Sequence, residues 1–449
     1  MSKNQDMQME NKTLLTALLG VLLILISVSI KPVIIIAILF CSYVVWFNEN
    51  DLMTICCIAC WLSLTPIFKL NADGASFYTY TVMLFAMKQL IKNREIDKYF
   101  LLILFIYALY LIPGMGVQLM TVIRNVMMPV QLYVMARCLN YEGLKKVSGY
   151  FILGVFIDST LATFNSFIPN LSDYIANDNA FAVSTLEGYV AEPRFSGLWI
   201  DPNFYSIHLL IGILICIVLY SRREISSLAF YSVVAMLTYF GAKTLSKSFI
   251  LMLAVALGYA YILFIKNKQY GSAALMTMIL LILLVLIAAG VIDVFSMIME
   301  RLKEGITSGE SLTTGRTDLW KEYILYFCSH PLVLLFGGGL SVKIPFRLGP
   351  HNAYLELILF IGIIGSFLFC LTIYNAVAAS WSSKTRGTSV PFLLTLVMFF
   401  FLGVYNSPDL QFELLLSLGY LWMNKEAESG MDVRKVGDCN RKQEINLNC

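Results

Sequence analysis

The sequence predicts an all-α, polytopic integral membrane protein, and three observations carry that reading. Of its 449 residues 58% are apolar and only 14% are charged, the mean hydropathy is +0.75, and apolar runs of spanning length recur along nearly the whole chain. Soluble domains carry about 25% charged residues, so a water-soluble globular class is excluded. Fourteen runs can be read, at 13–29, 32–47, 51–68, 76–91, 99–113, 118–138, 147–168, 204–220, 226–242, 248–265, 273–292, 351–376, 389–406 and 410–423. Because the first pair is closely spaced and the last run is short, the expectation is about 12–14 transmembrane helices.

No small-residue cleavage site follows the first run and a second begins at once, so it reads as a retained span rather than a signal peptide. Cys41, Cys56, Cys57, Cys60, Cys138, Cys216 and Cys370 lie in the runs, Cys439 and Cys449 in the C-terminal tail, and only Cys328 in a long loop. No extracytoplasmic disulfide pair is therefore expected. The cluster "CCIAC" at 56–60 reads as small apolar packing rather than as metal ligation. No internal repeat or low-complexity stretch is visible.

Charge sets the topology. With the N-terminus inside, the segments 92–98, 139–146, 221–225, 266–272 and 377–388 and both tails are cytoplasmic, and they hold eighteen Lys and Arg residues. The opposite short segments hold few, chiefly Lys31, Lys69, Lys243 and Lys247, which satisfies the positive-inside rule. Residues 1–423 are thus expected to form one transmembrane domain that includes two long outer connections, 169–203 and 293–350, with 424–449 as a cytoplasmic polar tail. The net charge of +3 and the mixed signs of the tail give no nucleic-acid patch.

In so apolar a chain the informative residues are polar ones at or inside the spans, since each needs a partner, a cavity or a ligand. The first outer loop ends in "AEPRFSGLWIDPNFYSIHLL", which brings Arg194, Asp201, Pro202 and Asn203 to the mouth of the next span. Asp201 suits an N-cap and Pro202 a first helical position. Asp201 and Asn203 are therefore caps or ligand contacts, whereas Arg194 has no such local task. In the second loop, Val294, Phe295, Ile298, Met299 and Leu302 repeat as on one side of a helix, and so do Leu319, Trp320, Tyr323, Ile324 and Phe327. Two amphipathic helices are expected along the outer surface, or folded over a cavity opening on it. Arg316 then stands at the start of the second one, where a guanidinium beside a helix N-terminus makes a bidentate phosphate site; a plain surface arginine is the other reading.

"HPLVLLFGGGLS" supplies a helix stop at Pro331 and a turn at Gly337, Gly338 and Gly339. No "GK[ST]" follows, so this is not a nucleotide phosphate loop, and the turn lets backbone approach a ligand or a neighbouring helix. In "LGPHNAYLELILFIGIIGS", Pro350 leads into a helix whose first turn holds His351. The positive end of a helix disfavours imidazolium and suits a general base, although a structural histidine would also fit. Asn352 and Tyr354 beside it are substrate-contacting or supporting candidates, and Gly362 and Gly365 open a groove for a helix or lipid chain. Arg124 either snorkels, pairs with a buried carboxylate or supports the site, and Lys247 is an interfacial anchor or a ligand.

Taken together, these stretches resemble the O-antigen ligase and O-antigen polymerase superfamily of bacterial membrane glycosyltransferases. The ligase signature is a histidine followed by Asn, Ser or Gln, nine residues, GxxG and two threonines. His351, Asn352, residues 353–361, Gly362 and Gly365 fit that spacing, while Ser366 and Phe367 replace the threonines. "TGRTDLW" before the glycine turn looks like the family's Gly-Arg-x-x-x-Trp stretch, and "LSKSF" like its Ser-Arg element with lysine substituted. The resemblance covers residues 190–376. It implies a metal-independent, cofactor-free inverting transferase of the bacterial cytoplasmic membrane, with a cavity open to the outside. His351 would take a proton from the acceptor hydroxyl, and Arg194 and Arg316 would hold the diphosphate of the donor. The implied partners are an undecaprenyl-diphosphate-linked oligosaccharide, a glycan acceptor, the bilayer and a chain-length regulator.

The first expectation is a polymerase joining lipid-linked repeats into O-antigen, capsule or exopolysaccharide, towards which Ser366 and Phe367 tip the choice. The second is a ligase moving glycan onto lipid A core or another acceptor. A transporter or flippase is the third, opposed by the absence of inverted halves and by the placing of both long loops on one face.

Overall fold

The computed structural model describes residues 3–70, 76–92, 96–114, 119–171, 195–199, 201–288, 316–339, 346, 349–380, 393–398 and 408–422. Sixteen helices and no strand occur among them. The first seven are α1 (Lys3–Ser29), α2 (Val33–Phe47), α3 (Asp51–Trp61), α4 (Phe77–Lys92), α5 (Lys98–Gly114), α6 (Leu119–Arg137) and α7 (Tyr141–Thr163). After the long connection that follows α7 come α8 (Pro202–Ser221), α9 (Ser227–Lys243), α10 (Lys247–Lys266) and α11 (Tyr270–Ala288). The rest are α12 (Arg316–Ser329), α13 (Pro331–Phe336), α14 (Ala353–Ser380), α15 (Leu393–Met398) and α16 (Pro408–Trp422).

Each of the fourteen apolar runs contains at least part of one of these helices among the described residues. Among the described residues four stretches are both long and apolar enough to cross a membrane: Met7–Ser29, Pro202–Ser221, Lys247–Lys266 and Ala353–Ala378. Val33–Phe47, Asp51–Leu64, Lys98–Ile112 and Phe412–Leu421 are apolar but shorter. Between α2 and α3 the Asn50 side chain caps α3 by accepting from the Met53 amide at 3.0 Å. Around the perimeter, Leu15 is 70% exposed and Tyr99 75%, with Leu39, Phe47 and Phe105 similarly bare. Apolar surface on that scale is untenable in water and suits lipid.

The helices alternate in direction, and their ends collect in two groups. At one end Glu10 pairs with Lys146 at 2.8 Å, Asp51 with Lys92 at 2.9 Å, the Tyr141 hydroxyl donates to Glu224 at 3.1 Å, and Gln269 donates to the Tyr220 carbonyl at 3.3 Å. At the other end the Ser29 hydroxyl donates to the Pro169 carbonyl at 2.8 Å and the Phe195 amide to the Lys243 carbonyl at 3.1 Å. This is the grouping that the charge pattern predicts.

The centre is α8. Its sequence is apolar on every side, and nearly all side chains from Asn203 to Tyr220 are buried, as expected of a helix with no face left for solvent or lipid. It packs against α7, α9, α10, α15 and α16. On the other flank α3 packs against α7, where Gly154 lies so close to α3 that a Cβ there would sit 2.5 Å from the Cys60 carbonyl oxygen. Close backbone approach of this kind is how small residues join helices where lipid is as apolar as the core. It also accounts for "CCIAC": Cys56, Cys57 and Cys60 are buried packing groups.

α14 lies beside α5, α6 and α13, and a second, smaller core joins it to α12. Tyr323, Phe327 and Leu359 are its buried centre, with Leu319, Leu355 and Phe346 around them. Ile324, on the apolar side read from the sequence, is 52% exposed, with Leu325 at 60% beside it. The packed residues follow i, i+4 and i+8 from Leu319, which turns Ile324 and Leu325 away from α14. The other amphipathic stretch, 293–302, lies outside the described residues.

Candidate active site

α14 begins at Ala353, two residues later than the sequence suggested. Asn352 is the cap: its side-chain oxygen accepts from the Tyr354 amide at 3.0 Å and the Leu355 amide at 3.2 Å, and its carbonyl accepts from Glu356 at 2.9 Å. His351 therefore precedes the helix instead of sitting in its first turn. Its φ of +44° is uncommon for a residue with a side chain and is a kind of strain that recurs at functional sites. The ring is half-buried. Pro350 is held in turn, since the Trp320 indole N–H donates to its carbonyl at 2.9 Å. Tyr354 is a supporting residue: its hydroxyl donates to the Leu396 carbonyl at 2.6 Å and ties α14 to α15.

Arg316 opens α12 one turn before Trp320, so its backbone stands on the side of α12 from which Trp320 reaches Pro350. Its side chain lies outside the described residues. Below it, burial pushes the Tyr323 phenol up to about 12, with Glu356 and Glu322 adding to the effect.

Gly337, Gly338 and Gly339 dock on α14. The Gly338 amide donates to the Leu359 carbonyl at 2.8 Å and the Gly339 amide to the Phe360 carbonyl at 3.0 Å. These carbonyls are free because α14 breaks at Gly362, whose φ is +66°. The groove expected at Gly362 and Gly365 is thus occupied by the chain itself. A Cβ at Gly365 would meet the Tyr110 ring at 2.4 Å, and the Tyr110 hydroxyl donates to the Phe336 carbonyl at 2.9 Å. Of the two partners proposed for the glycine turn, the structure selects a neighbouring helix.

A second group of candidates meets at the starts of α8 and α10. Asp201 caps α8, accepting from the Asn203 amide at 2.7 Å and its side-chain nitrogen at 2.9 Å. The Asn203 oxygen accepts from Ser246 at 2.9 Å, and Ser246 caps α10 through the Phe249 amide at 3.4 Å. Lys247 follows as the first residue of α10 and is half-buried. Two helix N-termini and an ammonium group side by side favour an anion. α15, the helix bonded by Tyr354, packs against both α8 and α10, so one short element links the two groups.

Arg194 lies outside the described residues, but the chain just after it is firmly placed. Phe195 is bonded to the end of α9, and the Lys243 ammonium stands 5.1 Å from its ring centroid. Asp158 of α7 then accepts from the Leu198 amide at 2.8 Å and the Trp199 indole at 3.0 Å. Gly197, at φ +62°, brings the chain so close that a Cβ would sit 2.4 Å from the same Asp158 oxygen. Arg124 stands apart. It is exposed on α6, which removes the pairing with a buried carboxylate.

Two buried features lie outside the candidates that the sequence offers: Asp158, and the pair His208 and Glu413, whose nearest nitrogen and oxygen are 3.6 Å apart. The Trp199 ring covers His208 at 4.9 Å, so the two features share one wall. The signal was present: an acidic residue or histidine inside an otherwise apolar run flags a functional position in a membrane.

A multi-pass helical membrane protein, with polar groups gathered at helix starts on one end, is the class that this architecture defines. Residues 233–370 match the family model described as O-antigen ligase, which supports the O-antigen ligase and polymerase superfamily for this chain and implies a glycosyltransferase-like enzyme. The matched stretch runs from α9 into α14 and takes in Lys247, Arg316, Trp320, the glycine turn and His351 through Gly365. Arg124, Arg194, Asp201 and Asn203 lie outside it. No curated protein and no solved structure matches the chain.

Proposed function

We propose that the protein is a polymerase that joins undecaprenyl-diphosphate-linked oligosaccharide repeats on the outer face of the cytoplasmic membrane. The single observation that carries this reading is the His351–Asn352 turn. It puts a half-buried imidazole, on a strained backbone, just ahead of a capped helix start and one hydrogen bond away from the helix that Arg316 opens.

In the proposed reaction, His351 accepts the proton of the acceptor hydroxyl as that oxygen attacks the anomeric carbon of the donor. The bond from that carbon to the diphosphate breaks on the opposite side, so the configuration inverts. The leaving diphosphate carries the negative charge, which Arg316 and Arg194 stabilise as fixed cations. Lys247 and the N-termini of α8 and α10 add positive potential, while Asp201 and Asn203 hold those termini in register. Tyr354 and Asn352 fix the helix that presents His351. No metal is required in this scheme.

Purified protein given a lipid-linked repeat should yield longer lipid-linked chains without an ion gradient. A deletion strain should display surface glycan cut to single repeats. The description of the matching family favours a second reading, ligation of finished glycan to a terminal acceptor. On that reading the deletion strain accumulates long polymer on its lipid carrier. Transport alone predicts no new glycosidic bond in the purified reaction.

A further inference from the structure

Two cavities lie side by side on the lateral surface of α2, towards the end of the bundle where Glu10 meets Lys146 and Asp51 meets Lys92. That end is opposite the helix starts bearing Asp201, Lys247 and His351. The first cavity, of about 450 Å³, is lined by Lys12 and Thr16 of α1 and by Asn48, Glu49 and Asn50 between α2 and α3. The second, of about 670 Å³, is an apolar groove lined by Ile36, Leu39 and Trp46 of α2 and Leu84 of α4. Phe40, Tyr43 and Phe47 line both, so a polar mouth and an apolar trough flank one shared aromatic edge of α2.

Most polar groups at the mouth are already committed. The Thr16 hydroxyl donates to the Lys12 carbonyl at 2.8 Å. Asn50 caps α3, and the Asn48 oxygen accepts from the Asn50 amide at 3.2 Å while its nitrogen donates to Thr54 at 3.3 Å. The neighbouring charges are paired as well, Glu10 with Lys146 and Asp51 with Lys88 and Lys92. Lys12 and Glu49 are the exception: both are exposed and neither forms an ion pair among the described residues. A ligand at the mouth thus meets one ammonium and one carboxylate, with tyrosine and tryptophan at the level where aromatic side chains sit between water and lipid.

We propose that this double cavity binds a zwitterionic phospholipid with a primary-amine headgroup, of the phosphatidylethanolamine class. Its phosphodiester is held by Lys12, its ammonium by Glu49, and one acyl chain lies in the trough between α2 and α4. The volumes are those of ordinary ligand sites, and charge complementarity selects the occupant: a purely anionic lipid would gain Lys12 but be repelled by Glu49. The site is independent of the transferase reading, since it uses none of that site's residues and lies at the other end of the bundle.

The test is a native mass-spectrometric titration of the delipidated full chain with phosphatidylethanolamine and phosphatidylglycerol of identical acyl chains. The chain should retain one phosphatidylethanolamine with about a three- to tenfold preference. Lys12→Gln combined with Glu49→Gln should abolish that preference, and Glu49→Gln alone should raise phosphatidylglycerol retention. Phosphatidylethanolamine with brominated chains should quench a fraction of the tryptophan fluorescence that Trp46→Phe removes. Equal retention of the two lipids, a preference that survives the double change, or no loss of quenching in Trp46→Phe overturns the proposal. Tighter binding of a polyprenyl phosphate overturns it too, by giving the cavity to a carrier lipid.

Discussion

Gly337 and Gly362 meet backbone to backbone. Gly337 has a φ of +80°, Gly362 a φ of +66°, and a Cβ on Gly362 would sit 2.4 Å from the Gly337 amide nitrogen. Side chains are thus excluded twice over, by backbone conformation and by space. The contact fixes α12 and α13 to α14, and with them the relation of Arg316 to His351. Gly362→Ala or Gly337→Ala should destabilise the protein by about 2–4 kcal/mol, combining left-handed strain with overpacking. Thermal unfolding in detergent measures this, and glycan transfer should fall in parallel.

Asp158 anchors the end of the loop that bears Arg194. Removing its carboxylate leaves the Leu198 amide and the Trp199 indole without their acceptor, at about 1–3 kcal/mol for each. Asp158→Ala should speed amide hydrogen exchange at residues 195–199 and raise the KM for lipid-linked donor more than it lowers kcat. Asp158→Asn retains one carbonyl oxygen and should fall between the two. Unchanged exchange in Asp158→Ala would dismiss the anchoring role.

His351→Ala and His351→Gln should lower transfer by about 10²–10⁴-fold. Neither replacement can accept the proton, while donor binding, followed by retention of a labelled lipid-linked repeat, should persist. Full activity in both variants removes the mechanism.

Arg316→Lys should weaken donor use although it keeps the charge, because an ammonium cannot make the forked contact of a guanidinium. A tenfold rise in KM is the expected order, about 1.4 kcal/mol. Arg194→Lys should behave alike. Arg124→Gln, on the exposed side of α6, should leave KM unchanged.

Trp320→Phe removes the hydrogen bond to the Pro350 carbonyl yet keeps most of the ring. A loss of about 0.5–1.5 kcal/mol in stability should accompany a larger fall in kcat, because the bond restrains the turn that carries His351. If stability and kcat both stay at their original values, Trp320 has no part in holding that turn.

Much of this architecture can be read from the chain by eye, for reasons that differ from residue to residue. The apolar runs declare the helices because lipid demands continuous apolar length. Asp201 declares a cap because aspartate followed by proline starts helices. The start of α14 lies two residues further on than the apolar run because His351 and Asn352 are both compatible with a helix start, and only the bonds from Tyr354 and Leu355 to Asn352 decide between them. The pattern of α12 does not separate Ile324 from Tyr323, because the helix is apolar on two sides, one against α14 and the other bare. Asp158, His208 and Glu413 drew no notice because each stands alone in its run, and their neighbours come from other helices.

The sequence by itself determined the all-helical membrane class, the alternation of helix ends and the motif around His351, because these follow from local composition and from charges near span ends. Tertiary structure alone decided that the glycine turn closes on a broken helix, that the starts of α8 and α10 share Asn203 and Ser246, and that Asp158 clamps residues 198 and 199. Those relations join residues some twenty to forty positions apart. They depend on which helices pack together, and the hydropathy of a single segment carries no information about its neighbours.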